Sequence, residues 1–165
     1  MSIHKLLCLT LLGLCIDCFV SFGLADETVA IADLPKAVMM TVTQRYSKAE
    51  LTEARKTIED KVEVFEIELK NGETHIEIAI FADGKIDWVA VEMAIEDLPK
   101  AVIDGIRKKY ATAAFTRAST VYVVKKGKDK LDCYHVEITI GDGKKRDLEV
   151  SPKGTIEEDE ETKDS

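Results

Sequence analysis

The chain has 165 residues, 45% of them hydrophobic and 33% charged, and its 23 Lys and Arg against 31 Asp and Glu leave a formal net charge of −8. That balance makes nucleic acid an unsuitable partner, because a backbone of phosphates attracts a basic surface rather than an acidic one. Six of the carboxylates lie in the last nine residues beside a single lysine, so the remainder is only mildly acidic.

Residues 1–25 read as an export signal that is removed. Lys5 supplies the charged start, Leu6, Leu7, Leu9, Leu11, Leu12, Leu14 and Ile16 make an apolar core, and Gly23-Leu24-Ala25 precedes a cleavage expected before Asp26. Asp17 interrupts the apolar run after about eleven residues, short of the roughly 20 a spanning helix needs, so the mature chain is expected to carry no transmembrane anchor. Lipid attachment at Cys15 or Cys18 is disfavoured by Leu14 and Asp17, which stand where a small residue normally precedes the lipidated cysteine. Three of the four cysteines leave with this segment. The mature chain keeps only Cys133, cannot close an internal disulfide, and must hold its fold by a hydrophobic core in a periplasmic or secreted setting.

Asp33 to Val38 spells DLPKAV, and Asp97 to Val102 spells it again. An aspartate able to cap free amides and a proline in the first turn make a helix start. From it, Leu34, Val38, Val42 and Tyr46 recur at i+4, as do Leu98, Val102, Ile106 and Tyr110. One buried stripe per helix follows, with helices expected over Pro35 to Arg45 and Pro99 to Lys109.

After each helix the period changes to two. Phe65, Ile67 and Leu69 alternate with Glu66 and Glu68, Ile76, Ile78 and Ile80 with Glu77 and Ala79, and Tyr134, Val136, Ile138 and Ile140 with His135, Glu137 and Thr139. Asn71-Gly72, Asp83-Gly84, Gly141-Asp142-Gly143 and Pro152-Lys153-Gly154 are the turns. Glu50 to Ile58 and Phe115 to Val124 are expected strands too; Glu-Ala-Arg-Lys in the first would suit a helix equally, whereas Thr120-Val121-Tyr122-Val123-Val124 is strongly β.

At an offset of 64, seven of the fourteen positions from Asp33 to Tyr46 are identical in the second copy. An insertion around Lys125 to Asp129 then shifts the offset to 69. The expected fold class is therefore α+β: two tandem units, residues 26–94 and 95–156, each a helix followed by four antiparallel strands, with the helices packed on one sheet face. Residues 157–165, with no apolar side chain, are expected to form an acidic disordered tail.

A leading signal, an LPxAV helix start ending in tyrosine, an alternating strand carrying Phe65 or Tyr134 and a hydrophobic strand closed by a glycine hairpin, all in tandem, resemble the PepSY-like, or β-lactamase-inhibitor-like, domain of exported bacterial proteins. The resemblance covers about Asp33 to Ile156 and departs from the family where Ser47 and Ala111, rather than a proline, follow the helix tyrosines. It implies a non-enzymatic binding or inhibitory module of the cell envelope whose partner is another envelope or secreted protein.

Nothing in the sequence spells catalysis or a cofactor: there is no Gly-x-Ser-x-Gly, phosphate-cradling glycine loop or His-Glu-x-x-His. Trp88, Tyr122 and His135 are the candidate binding residues, the two aromatics as anchors in strongly apolar strands and His135 on a wet face. The competing expectation is a metal-binding envelope protein, because Cys133, His135 and Glu137 alternate onto one side of a strand and the acidic tail could collect cations.

Overall fold

The computed structural model describes residues 27–59, 61–141 and 143–162; the expected leader, 1–25, and the last three residues lie outside them. Nine strands form one antiparallel sheet in chain order: β1 (Glu27–Thr28), β2 (Glu50–Glu59), β3 (Val62–Asn71), β4 (Thr74–Phe81), β5 (Ile86–Glu92), β6 (Ala114–Lys125), β7 (Lys128–Thr139), β8 (Lys145–Val150) and β9 (Ile156–Glu161). Helix α1 (Lys36–Arg45) lies between β1 and β2, and α2 (Lys100–Lys109) between β5 and β6. The α+β class and both helices are as expected, the helices to within one residue.

The helix starts differ from expectation in chemistry. Asp33 and Asp97 end short 3-10 turns, Ile31–Asp33 and Ile95–Asp97, and neither caps a helix. Pro35 and Pro99 take the cap position with extended ψ of 140° and 139°, and their carbonyls accept the amides of Met39 and Ile103 at 3.1 and 3.2 Å. A residue before proline avoids the helical region, so Leu34 and Leu98 stay extended and hold the aspartates out of reach. Both helices end alike: the amides of Tyr46 and Tyr110 bond the carbonyls of Val42 and Ile106, each at 2.8 Å.

Two glycine turns lie against the helices. The Thr41 hydroxyl donates to the Gly84 carbonyl at 2.7 Å, and Gly154 sits against Ala101 and Gly105 of α2. The Asn71-Gly72 hairpin forms, but Asn71 pairs with Thr74, so Gly72 and Glu73 are the central residues, with Gly72 at φ +65°. The Lys125 to Asp129 insertion is the tip of the β6–β7 hairpin, where Lys126 and Gly127 both have positive φ, as a type I′ turn requires.

Register shows where the core lies. Leu51, Leu69, Ile76, Val91, Thr120, Tyr134, Val150 and Ile156 are successive cross-strand partners from β2 to β9. Cross-strand partners share a face. One end of this row packs in the cluster holding Val38 and Val42 of α1, the other in the cluster holding Val102 and Ile106 of α2. Both helices therefore cover the same side of the sheet, and Val38, Val42, Val102 and Ile106 are fully buried.

The acidic segment is not a free tail through Glu161. Glu157 to Glu161 continue strand β9 on β8, and the Thr162 amide bonds the Lys145 carbonyl at 3.1 Å. Asp159 supplies the reason. It faces the α2 side opposite buried Leu148, where it accepts hydrogen bonds from Tyr110 Oη at 2.6 Å, Arg146 Nε at 2.5 Å and Lys109 Nζ. Three donors from distant parts of the chain offset the ordering cost that composition alone suggested would prevail.

Candidate binding surface on the open face of the sheet

The side of the sheet away from the helices is not a simple polar surface. Val64, Ala79, Ala90, Val123 and Cys133 are buried yet belong to neither helix-side cluster. Register puts all but Val64 together: Ala79, Trp88 and Val123 are successive cross-strand partners, and so are Ala90, Val121 and Cys133. Trp88 and Val121 are half-buried, and the band they share with these smaller residues runs across β4 to β7.

Carboxylates flank that band. On one side Glu53, Glu68 and Glu77 are direct neighbours on β2, β3 and β4. Arg55 reaches Glu53 and Glu68, each at 2.8 Å. Burial, and then repulsion by Glu68, push the Glu77 carboxyl above its ordinary pKa, against the weaker pull of Arg55, His135 and Arg117. On the other side His135, Glu149 and Glu158 form one row and Glu137, Asp147 and Glu160 the next. Arg117 lies 3.5 Å from Glu137.

His135 Nε2 is 2.6 Å from Asp147 Oδ1, a hydrogen bond whenever the ring carries its proton there. Burial alone would lower the imidazole pKa; the bond to Asp147 and the negative field of Asp147, Glu149 and Glu77 outweigh it and raise the pKa instead.

Of the three expected binding residues, the structure brings Trp88 and His135 to this open face and takes Tyr122 away from it. Tyr122 pairs with Val89, which is buried in the α1 cluster, so its side chain belongs to the helix side. Cys133, His135 and Glu137 do share the open face, opposite Val121, Ser119 and Arg117. Among the described residues, however, no group of three His, Cys, Asp or Glu is placed to hold a metal ion. The Cys133 thiol is pushed up to about 12, first by burial and then by Glu149 and Asp132. At neutral pH it keeps its proton, which a metal ion would have to displace to gain a thiolate ligand. Asp147 and Glu53 were the residues the sequence did not single out, whereas Glu68 and Glu77 stood in it only as charges alternating with the apolar residues of their strands.

No family model and no curated protein matches this chain. Solved structures share its fold. A protein of Bacteroides eggerthii described as periplasmic superposes with a TM-score of 0.61 at 11% identity, covering 77% of this chain and 88% of its own. A DUF2874 family protein of Bacteroides uniformis gives 0.60 at 13%, with coverage of 77% and 88%. A BLIP-like protein of Bacteroides fragilis gives 0.53 at 16%, covering 78% and 86%. No helix among the described residues is long and apolar enough to cross a membrane.

Proposed function

We propose that this chain is an exported, non-enzymatic binding or inhibitor-like module of the bacterial cell envelope, and that it holds a protein partner on the open face of its sheet. The observation that carries the reading is the apolar band around half-buried Trp88 on a face that neither helix covers. Aromatic side chains ringed by polar residues are what protein interfaces concentrate at their centres. The fold shared with structures described as BLIP-like and periplasmic supports the same reading and its envelope location.

The module is built as two tandem PepSY-like units, residues 26–94 and 95–156. Supporting this are the paired 3-10 turns and proline-capped helices 64 residues apart and the matched tyrosine ends. The contact of Gly84 with Ala37 and Thr41, repeated by Gly154 with Ala101 and Gly105, is further support. A single unit of this size has a thin core, and two joined through β5 and β6 make a face wide enough to bind.

The test immobilises the chain from Asp26 onward, passes an envelope extract of the source organism over it, and repeats the capture with Trp88→Ala. One dominant protein should be held by the parent chain and released by the variant, whose circular dichroism should be unchanged. Equal retention on both would remove the open face from consideration.

A further inference from the structure

We propose that the occupant of the open face is a basic polypeptide segment, which sets an apolar side chain on the band around Trp88 and lysine or arginine side chains against the carboxylate rows on either side. This rests on the reading of that face as the binding surface and adds the chemistry of the partner.

The argument begins with a cost. Glu53, Glu68 and Glu77 stand directly opposite one another on three neighbouring strands, and like charges so placed repel. Arg55 divides itself between the first two. Among the described residues no ion pair reaches Glu77, which lies furthest from Arg55 in the row and nearest to the apolar band. Glu77 is also diagonal to Trp88, because it pairs with Ala90 and Trp88 is two residues before Ala90. Diagonal neighbours sit roughly 7–8 Å apart, so one incoming cation can touch both the carboxylate and the indole face.

The far flank repeats the arrangement. Glu137, Asp147 and Glu160 form one row and Glu149 and Glu158 belong to the next, with Arg117 and His135 among them, Lys145 in the row beyond and Lys130 paired with Val123 at the edge of the band. An apolar centre between two acidic flanks is complementary to a segment with an apolar centre between basic flanks. The same field repels a phosphate-rich lipid surface, a nucleic acid and the open face of a second copy.

Trp88 is the only tryptophan in the chain, so its emission reports occupancy of this face directly. The whole chain is titrated with a synthetic decapeptide of alternating lysine and arginine around a central leucine, and with the same peptide carrying glutamate at every basic position. The basic peptide should shift the emission saturably, bind at least tenfold more weakly as salt rises from about 0.05 to 0.5 M, and lose tenfold or more with Glu68→Gln and Glu77→Gln combined. Asp104→Asn, on the exposed side of α2, should change nothing.

Equal response to the two peptides, or indifference to Glu68→Gln and Glu77→Gln, would overturn the inference. Self-association of the chain without peptide that Lys126→Glu abolishes would support it and identify the basic segment as a second copy's hairpin tip. If the captured envelope protein is released by Trp88→Ala but ignores both salt and the glutamine variants, the face still binds and only the basic partner falls. If Trp88→Ala releases nothing, both readings fall.

Discussion

Gly105 lies so close to Gly154 that a Cβ on it would come within 1.9 Å of the Gly154 carbonyl oxygen. Helix propensity favours alanine over glycine by about 1 kcal/mol in a helix interior, so Gly105→Ala should stabilise α2 if the helix stood alone. The contact reverses the sign. We expect Gly105→Ala to cost about 1–3 kcal/mol or more through overpacking, read as a lower urea midpoint. Gly141→Ala, which meets nothing within 4 Å, serves as the control and should be near neutral.

Asp159 is the pin of strand β9. Its side chain is 11% exposed and its partners Arg146, Lys109 and Tyr110 come from β8 and the end of α2. Asp159→Ala should cost about 1–3 kcal/mol, the range for charged hydrogen-bond partners left without their acceptor. Burial works against ionisation here, but the three donors prevail and hold the carboxyl below its ordinary pKa. A depressed folded-state value contributes stability above the unfolded value of about 3.9 and loses it as pH falls through the folded one. Urea midpoints between about pH 2 and 5 should therefore fall more steeply for the parent chain than for Asp159→Asn. Parallel limbs would show that the pin carries no charge-dependent stability.

The helices, most strands and the glycine turns were legible because their information is local: a stripe at i+4, an alternation at i+2, a proline or glycine at a fixed place. Strand β9 was not, because Ile156-Glu157-Glu158-Asp159-Glu160-Glu161 has no apolar alternation and is ordered by side chains 13 to 50 residues away. The face that Tyr122 takes was not legible for a related reason. Its strand is apolar in both phases, so only the pairing of Val89 with Tyr122, set across the β5–β6 junction, decides which face it takes. The aspartate caps failed because proline itself took the cap position. The carboxylate rows of the open face were visible as alternating glutamates within a strand, but their neighbours across strands follow from register.

Cys133 should be chemically silent in the folded chain. It is 4% exposed, and its thiol is pushed up to about 12, whereas alkylation proceeds through thiolate. At about pH 8, iodoacetamide should label the native protein far more slowly than the urea-unfolded one, and zinc should leave the melting temperature unchanged. Native labelling at the unfolded rate, or a zinc-induced rise, would contradict the placement of this residue.

The open face should make the protein more stable at mildly acidic pH than at alkaline pH. His135 has a raised folded-state pKa, so its contribution is complete below the unfolded value of about 6.5 and is lost as pH rises through the folded one. Glu77 acts in the same direction. Its carboxyl, also raised, holds a proton in the folded chain where the unfolded chain has released it, so folding is favoured more on the acid side of that window and penalised above it. Urea midpoints should decline from about pH 5 to 8, on the opposite limb from the loss governed by Asp159. Glu77→Gln, which keeps the shape and removes the half-buried charge, should raise stability at neutral pH and flatten the decline, and His135→Gln should flatten it as well. A Glu77→Gln variant less stable than the parent at neutral pH would mean that the charge is already satisfied within the chain. The row beside Trp88 would then have no call for a cation from outside.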